Sequence, residues 1–325
     1  MKNKIINTNI YIGPMSFNII NNIIKVANDE QKNIGLIASR RQIEYNSGYV
    51  MKTNDFVNLQ KKSDNILICR DHGGIYQGEK KDNGILSFYN DKNFNIIHID
   101  PWKKYKNIDE AIQETIDNIK FLNILNPNCY YEIGTEEAIR PYSVDEFEYL
   151  LYNLKTNLGE LYNKIIYAVI QSGTKIIGLS NVGVFNEKKC KKMINICNKY
   201  DVLSKEHNGD YLSDDLIIKR FKLGLNAINI APEFGVYETS IIYDNMNDNQ
   251  KELFFNLCLE SNKWKKWFPD NYDPYLNKKE LIITTGHYLY QNETFKKLKN
   301  EIKNIDNKIN KKLYNKIKNK INLWK

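Results

Sequence analysis

Cysteine is scarce in this chain, and no two cysteines are spaced as a motif. Cys69, Cys129, Cys190, Cys197 and Cys258 are an odd set of five without a Cys-x-x-Cys. That argues against a disulfide framework and against a thiolate zinc site. Cys69 and Cys129 sit in apolar runs and read as core filler. Long hydrophobic runs are missing as well. Ile165 to Ile170 is typical of the longest, far short of the roughly 20 residues that a membrane helix needs. The first residues, Met-Lys-Asn-Lys-Ile-Ile-Asn-Thr-Asn, lack the apolar core and small-residue cleavage site of a secretion signal. A cytoplasmic protein with no membrane partner is the expectation. There is also no His-Glu-x-x-His, no EF-hand loop and no Gly-x-Gly-x-x-Gly.

A chain of 325 residues that is 42% hydrophobic can bury a large core. Its net charge of +8 is concentrated at one end. Residues 296–325 hold eleven lysines against Glu301 and Asp306, a surplus of nine that leaves the remainder close to neutral. In the same segment Leu298, Ile302, Ile305, Ile309, Leu313, Ile317 and Ile321 step by three or four. That spacing predicts one long helix with an apolar stripe that docks and a lysine-rich face in water. A strand-like run, Leu281 to Thr285, precedes it. Lysine on a solvated face accounts for the basic tail, so no nucleic-acid partner is expected.

Eight short β-like runs end in polar or glycine-containing turns, and most are separated by helical stretches. They are Ile10–Ile12, Ile34–Ala38, Ile66 onward, 95–99, Cys129–Ile133, Ile165–Ile170, Val202–Lys205 and Ala227–Ile230. This pattern predicts an α/β fold, a (β/α)8 TIM barrel over residues 1–250, with a C-terminal helical extension over 251–325 that packs on the barrel or on a partner subunit. An open dinucleotide-binding sheet is the competitor, and Gly13-Pro14-Met15-Ser16 does not supply its glycine fingerprint.

Active sites of such barrels are built at the carboxyl ends of the strands. The polar residues there include Ser39 and Gln42, Asp71 and His72, His98 and Asp100, Glu132 and Glu136, Gln171, and Glu206, His207 and Asp210. Three of the four histidines are among them. Imidazoles and carboxylates at converging strand ends are donors for zinc or another first-row divalent ion. Each has a plainer alternative: His98 as a core histidine, Glu132 as an inward polar residue, Asp71 and His72 as a strand-end ion pair. His287, outside the eight units, reads as structural, or as part of a Gly-His-Tyr loop over the barrel mouth.

Several of these motifs resemble, in order, the Z-type subunits of class II D-tagatose-1,6-bisphosphate aldolase, the GatZ/KbaZ family. Ala38-Ser39-x-x-Gln42 with Gly48-Tyr49 and Asp55-Phe56 is similar to the second-strand signature. Arg70-Asp71-His72-Gly73-Gly74, His98-Ile99-Asp100, Ile133-Gly134-Thr135-Glu136, Gln171 and Glu206-His207-x-x-Asp210-Tyr211 are similar to the signatures that follow. The resemblance implies metal-dependent retro-aldol and aldol chemistry on a ketose, as a sugar 4-epimerase or aldolase, or a non-catalytic accessory subunit that stabilises an aldolase. On that basis His72 and His207 are metal ligands, with Glu136 or Gln171 completing the shell. Zinc is the first choice of ion, with manganese, cobalt or nickel as alternatives. Asp71 is the general base, and Asp210 or Glu132 returns the proton. Ser39, Gln42, Gly73, His98, Asp100 and Asn229 are substrate contacts. The substrate is a small sugar or sugar phosphate, and the partner is another copy of the chain or an aldolase subunit. The family's Lys-Val-Gly-Pro after the last strand reads Asn229-Ile230-Ala231-Pro232 here, so the lysine that would meet a phosphate is missing.

Overall fold

The isoleucine-rich runs form strands because β-branched side chains suit an extended backbone that is covered on both faces. In the computed structural model, which describes residues 1–44, 51–78 and 83–324, eight such strands close into a ring. They are β1 (Ile10–Ile12), β2 (Ile34–Ser39), β3 (Ile66–Gly73), β4 (Ile96–Ile99), β5 (Tyr130–Ile133), β6 (Ile165–Ile170), β7 (Leu203–Glu206) and β8 (Ala227–Ile230). All neighbours are parallel, and β1 closes the ring by pairing Ile10 with Ile228 and Ile12 with Ile230. The fold is therefore a (β/α)8 barrel. Gly48 and Tyr49 lie outside the described residues.

Alternation along each strand divides the apolar residues into two cores. On β2 and β3, Leu36 and Ile68 face outward and pack under the helices, whereas Ile37, Leu67 and Cys69 face into the barrel. Inside, Tyr11 and Tyr167 cross edge to face with ring centroids 5.8 Å apart. Tyr11 fits only because residue 35 is glycine: a Cβ there would stand 2.0 Å from the Tyr11 ring. The Tyr167 hydroxyl donates toward the carbonyls of Ile5 and Thr8, which ties the short N-terminal helix Lys2–Ile6 to the barrel floor.

After β8 the chain continues as helices at Pro232–Tyr243, Asp248–Glu260, Lys278–Thr285, Glu293–Asn300 and Ile305–Ile321. Two sequence expectations fail here. The apolar run at 281–285 is a buried helix and not a strand; a short run without period fits either. The long C-terminal helix is two helices, broken where Asn304 takes a left-handed φ of 57°. The stripe itself docks: Ile305, Ile309, Leu313, Ile317 and Ile321 are buried. Its flank meets the helix Phe17–Asp29 through an Asn22–Asn310 hydrogen bond of 2.7 Å. Three of the surplus lysines pair with acids of the barrel, Lys316 with Glu233, Lys318 with Glu30 and Lys320 with Asp214, at 2.6–2.9 Å. Among the described residues no helix is long and apolar enough to cross a membrane.

Candidate functional site

Adjacent residues on an ideal strand point to opposite faces, yet Asp71 and His72 both reach the barrel mouth. A bulge is the reason. The β3–β4 register shifts between Arg70 and Gly73, and His72 takes a left-handed φ of 46°. Arg70, before the bulge, faces outward, where it is buried against Asp91 at 2.7 Å and the Ala38 carbonyl at 3.0 Å. Gly73 resumes pairing where a Cβ would stand 3.0 Å from the His98 carbonyl oxygen.

His72 Nδ1 donates to Asp100 Oδ2 at 2.6 Å, and His207 Nε2 donates to Glu132 Oε1 at 2.5 Å. Each ring is thus fixed from behind by a carboxylate, and its other nitrogen is turned toward the mouth. His72 Nε2 lies 3.9 Å from both Asp71 Oδ1 and Glu136 Oε2, and His207 Nδ1 lies 3.8 and 4.0 Å from the same two oxygens. Two nitrogens and two oxygens therefore surround one point. His98 stands behind them, with ring centroids 5.0 Å from both other imidazoles. Its Nε2 donates to the Gly134 carbonyl at 2.9 Å, and its Nδ1 accepts from the His72 amide at 3.3 Å.

The donor set fits a divalent ion. One donor atom from each of Asp71, His72, His98 and His207 falls within 4.8 Å of the others. A carboxylate behind each ligating imidazole is the usual support of a metal-bound histidine. Tetrahedral ligands at about 2.1 Å from zinc stand roughly 3.4 Å apart, so the observed separations need only a small contraction. Mixed nitrogen and oxygen donors also suit manganese, cobalt and nickel. The electrostatics agree: burial opposes protonation of His72, yet Asp71, Asp100 and Glu136 push it up to about 10. Negative charge at this point calls for a cation.

The cavity over this cluster has a volume of about 290 Å³. Ser39, Gln42, Asp71, His72, Glu136, His207, Asp210 and Asn229 line it. Gln42 also closes a capping box by accepting from the Ser39 amide at 2.6 Å. Asn229 Nδ2 is 3.5 Å from Asp71 Oδ1. Asp210 Oδ1 accepts from the Ala231 and Glu233 amides; burial first, then the charge of Glu233, pushes this carboxyl up to about 7.

Other expected site residues are engaged elsewhere. Both functional atoms of Gln171 brace the loop after β5, Nε2 on the Thr135 and Arg140 carbonyls and Oε1 on the Tyr142 amide. It is not turned to the histidine cluster. Glu132 does not line the cavity: Lys205 and His207 hold its two oxygens, and although burial raises it, Lys205 and the histidines bring it well below the usual carboxylate range. Asp100 is fully buried behind His72 and also accepts from the Trp102 amide, and His98 is likewise buried.

Sequence reasoning passed over the cations, and of the roof it offered only the Gly286-His287-Tyr288 loop. Arg41, Lys103 and Lys266 line the same cavity, together with Trp267 and Tyr288 from the C-terminal region. Arg41 lies two residues after Ser39 and Lys103 three after Asp100, so a search for bases near the polar strand ends finds them. Nothing local marks Lys266. His287 is buried beneath the roof against Gly235, and burial pushes it down to about 3.

No family model and no curated protein matches this chain. Solved structures do. A probable tagatose 6 phosphate kinase from Sinorhizobium meliloti 1021 superposes with a TM-score of 0.75 at 13% identity, covering 91% of this chain and 87% of that one. The glycerol-complexed fructuronate-tagaturonate epimerase UxaE from Cohnella laeviribosi gives 0.67 at 11% identity, over 98% and 81% of the two chains. The YdjI aldolase from Escherichia coli K12 gives 0.54 at 13%, over 94% and 96%. At such identities the likeness is one of fold.

Proposed function

We propose that this chain is a divalent-metal-dependent enzyme that breaks and re-forms a carbon–carbon bond of a ketose carrying an anionic group, as a 4-epimerase or an aldolase. One observation carries the reading: two imidazoles, each fixed from behind by a buried carboxylate, turn their remaining nitrogens toward one point beside Asp71 and Glu136 at the barrel mouth. The aldolase and the fructuronate-tagaturonate epimerase among the neighbours in fold support the substrate class.

His72 and His207 would hold the ion, with Glu136, one of the two expected alternatives, completing the shell. A bound divalent ion supplies Lewis acidity toward the oxygens of the substrate. Asp71, oriented by Asn229, takes the proton of the hydroxyl on the carbon being released. The bond to the neighbouring carbon breaks, its electron pair moves toward the carbonyl, and an aldehyde forms. Re-addition to the other aldehyde face reverses these changes, with Asp210 returning the proton. Arg41, Lys103 and Lys266 at the mouth suit a carboxylate or phosphate and replace the lysine missing after β8. Arg41 follows β2 and Lys103 follows β4, whereas Lys266, Trp267 and Tyr288 come from short helical turns beyond β8. The extension from residue 251 is thereby part of the working site.

Metal analysis of the purified protein, followed by NMR of ketoses, ketose phosphates and uronates in deuterated water, tests this. Bound divalent metal with epimerisation or cleavage, and no deuterium at the recovered stereocentre, is the expected result. Deuterium on carbon would mean deprotonation there and would sink the retro-aldol reading. His72→Ala should lose metal and turnover, and Asp71→Asn should keep metal while turnover falls about 10²–10⁴-fold. A metal-free, inactive protein recovered with a stoichiometric aldolase partner would make it an accessory subunit.

A further inference from the structure

A lysine inside a hydrophobic barrel is costly unless its charge is answered. Lys205 on β7 is fully buried and points into the barrel two residues before His207. Its Nζ lies 2.6 Å from Glu132 Oε2 and 3.8 Å from the centre of the Tyr11 ring, whose face favours a cation. Cys69 Sγ is 4.0 Å from the same Glu132 oxygen. Lys205 does not line the cavity, so it stands beneath the site and not in it. Glu132 is the link: one oxygen on Lys205, the other on His207.

We infer that Lys205 is a positioning residue that acts through Glu132: by donating to Oε2 it anchors the carboxylate whose Oε1 accepts from His207 Nε2, which fixes the His207 ring with its Nδ1 lone pair turned to the cavity. An ionised carboxylate can only accept, so the nitrogen facing Glu132 must carry the hydrogen. A ligating nitrogen must lack one. Among the described residues Lys205 is the one amine that hydrogen-bonds Glu132, and the apolar side chains around the pair are Tyr11, Tyr167, Cys69 and aliphatic residues. The corresponding support behind His72 is arranged otherwise, since Asp100 is held by the Trp102 amide and the Thr135 hydroxyl and needs no cation. The two halves of the cluster therefore depend on different parts of the fold. The link to metal binding rests on the function proposed above; the tautomer does not.

The test uses Lys205→Met, Glu132→Gln and the double variant in the full chain, with zinc as the only ligand. Imidazole nitrogen NMR of the metal-free protein reads the His207 tautomer, competition with a chelating dye reads zinc affinity, and circular dichroism reads the fold. The wild type should show hydrogen on Nε2. Lys205→Met should lose that single tautomer and bind zinc about 10–100-fold more weakly with the fold intact. The double variant should recover most of both, because an amide oxygen accepts from Nε2 without a counter-ion. Lys205→Met with the wild-type tautomer and affinity would overturn the inference, as would a double variant as weak as the single. If Lys205→Met does not fold, the double variant decides: folded with near-wild-type zinc binding supports the role, and weak binding or failure to fold overturns it. Reductive trapping of a ketose on Lys205 by borohydride would overturn it too, by making the lysine a nucleophile. If the wild type binds no divalent ion, the proposed function fails, and the tautomer comparison still judges Lys205.

Discussion

His72 and His207 meet edge to face across the barrel mouth, ring centroids 5.4 Å apart and planes at 79°. They come from strands on opposite sides of the ring, and each keeps its angle because a carboxylate grips the nitrogen farther from its partner. Orientation, and not mere proximity, makes the pair suited to share one ion.

Asp100→Ala should expose that dependence on the His72 side. It removes the acceptor of His72 Nδ1 and of the Trp102 amide in one step. Metal affinity should fall about 10–100-fold. Stability should fall by about 1–3 kcal/mol, the cost of buried donors left unpaired. Dye competition and urea unfolding read the two effects separately, and unchanged metal affinity would remove Asp100 from the support of the cluster.

Gly35→Ala places a methyl group 2.0 Å from the Tyr11 ring, where neither backbone nor ring has room. A loss of roughly 1–3 kcal/mol or more is expected from overpacking. The double variant with Tyr11→Leu should regain part of it. Strict additivity of the two substitutions in urea unfolding would contradict the packing described for the barrel interior.

Asp210 gives the protein a pH dependence of definite sign. Its folded value of about 7 lies above that of an unfolded aspartate. The folded state therefore holds a proton that the unfolded state releases near pH 4. The stability associated with this proton is complete below about pH 4 and declines as pH rises through 7, by up to roughly 4 kcal/mol. Asp210→Asn retains an oxygen for the Ala231 and Glu233 amides but cannot ionise. Its urea midpoint should change less than that of the wild type between pH 5 and pH 8. Parallel curves for the two proteins would refute the assignment.

Arg41, Lys103 and Lys266 make a prediction about substrates. Replacing any one by Met should raise KM for an anionic ketose about tenfold or more, the worth of a hydrogen bond to a charged group, with a smaller change in kcat. KM for a neutral analogue should be unaffected. Added salt should weaken the anionic substrate selectively. Equal effects on both substrates would rule out an anion-binding role.

Much of the scaffold was open to reading because a strand covered on both faces must be apolar throughout and must stop at a polar or glycine-containing turn, as Ile66–Gly73 does. The placement of Asp71, His72 and His207 at one mouth followed from that. What stayed hidden depends on backbone detail or distance. The bulge that turns His72 inward leaves no mark in residue types beyond the two glycines after it. Gln171 sits at a strand end, but its amide matches three backbone groups of the adjacent loop, and no sequence pattern reports such a match. Glu132 and Asp100 were recognised as polar strand-end residues and given direct roles, whereas their burial against His207 and His72 depends on packing that the residue types do not report. Lys266 and Trp267 reach the mouth from beyond the eighth strand, where no period or motif connects them to it.

The pairing of Ile10 with Ile228 also has a meaning in time. The first strand leaves the ribosome more than two hundred residues ahead of the strand that completes it, and the helix behind it waits longer still for Ile305–Ile321. Until then an isoleucine-rich edge and an apolar helix face are uncovered, a load of distant contacts that slows folding. His72 can meet Asp100 early, since β3 and β4 are neighbours in the chain; Glu132 must wait for Lys205 and His207. The two sides of the histidine pair should mature in sequence, with the His72 side formed first.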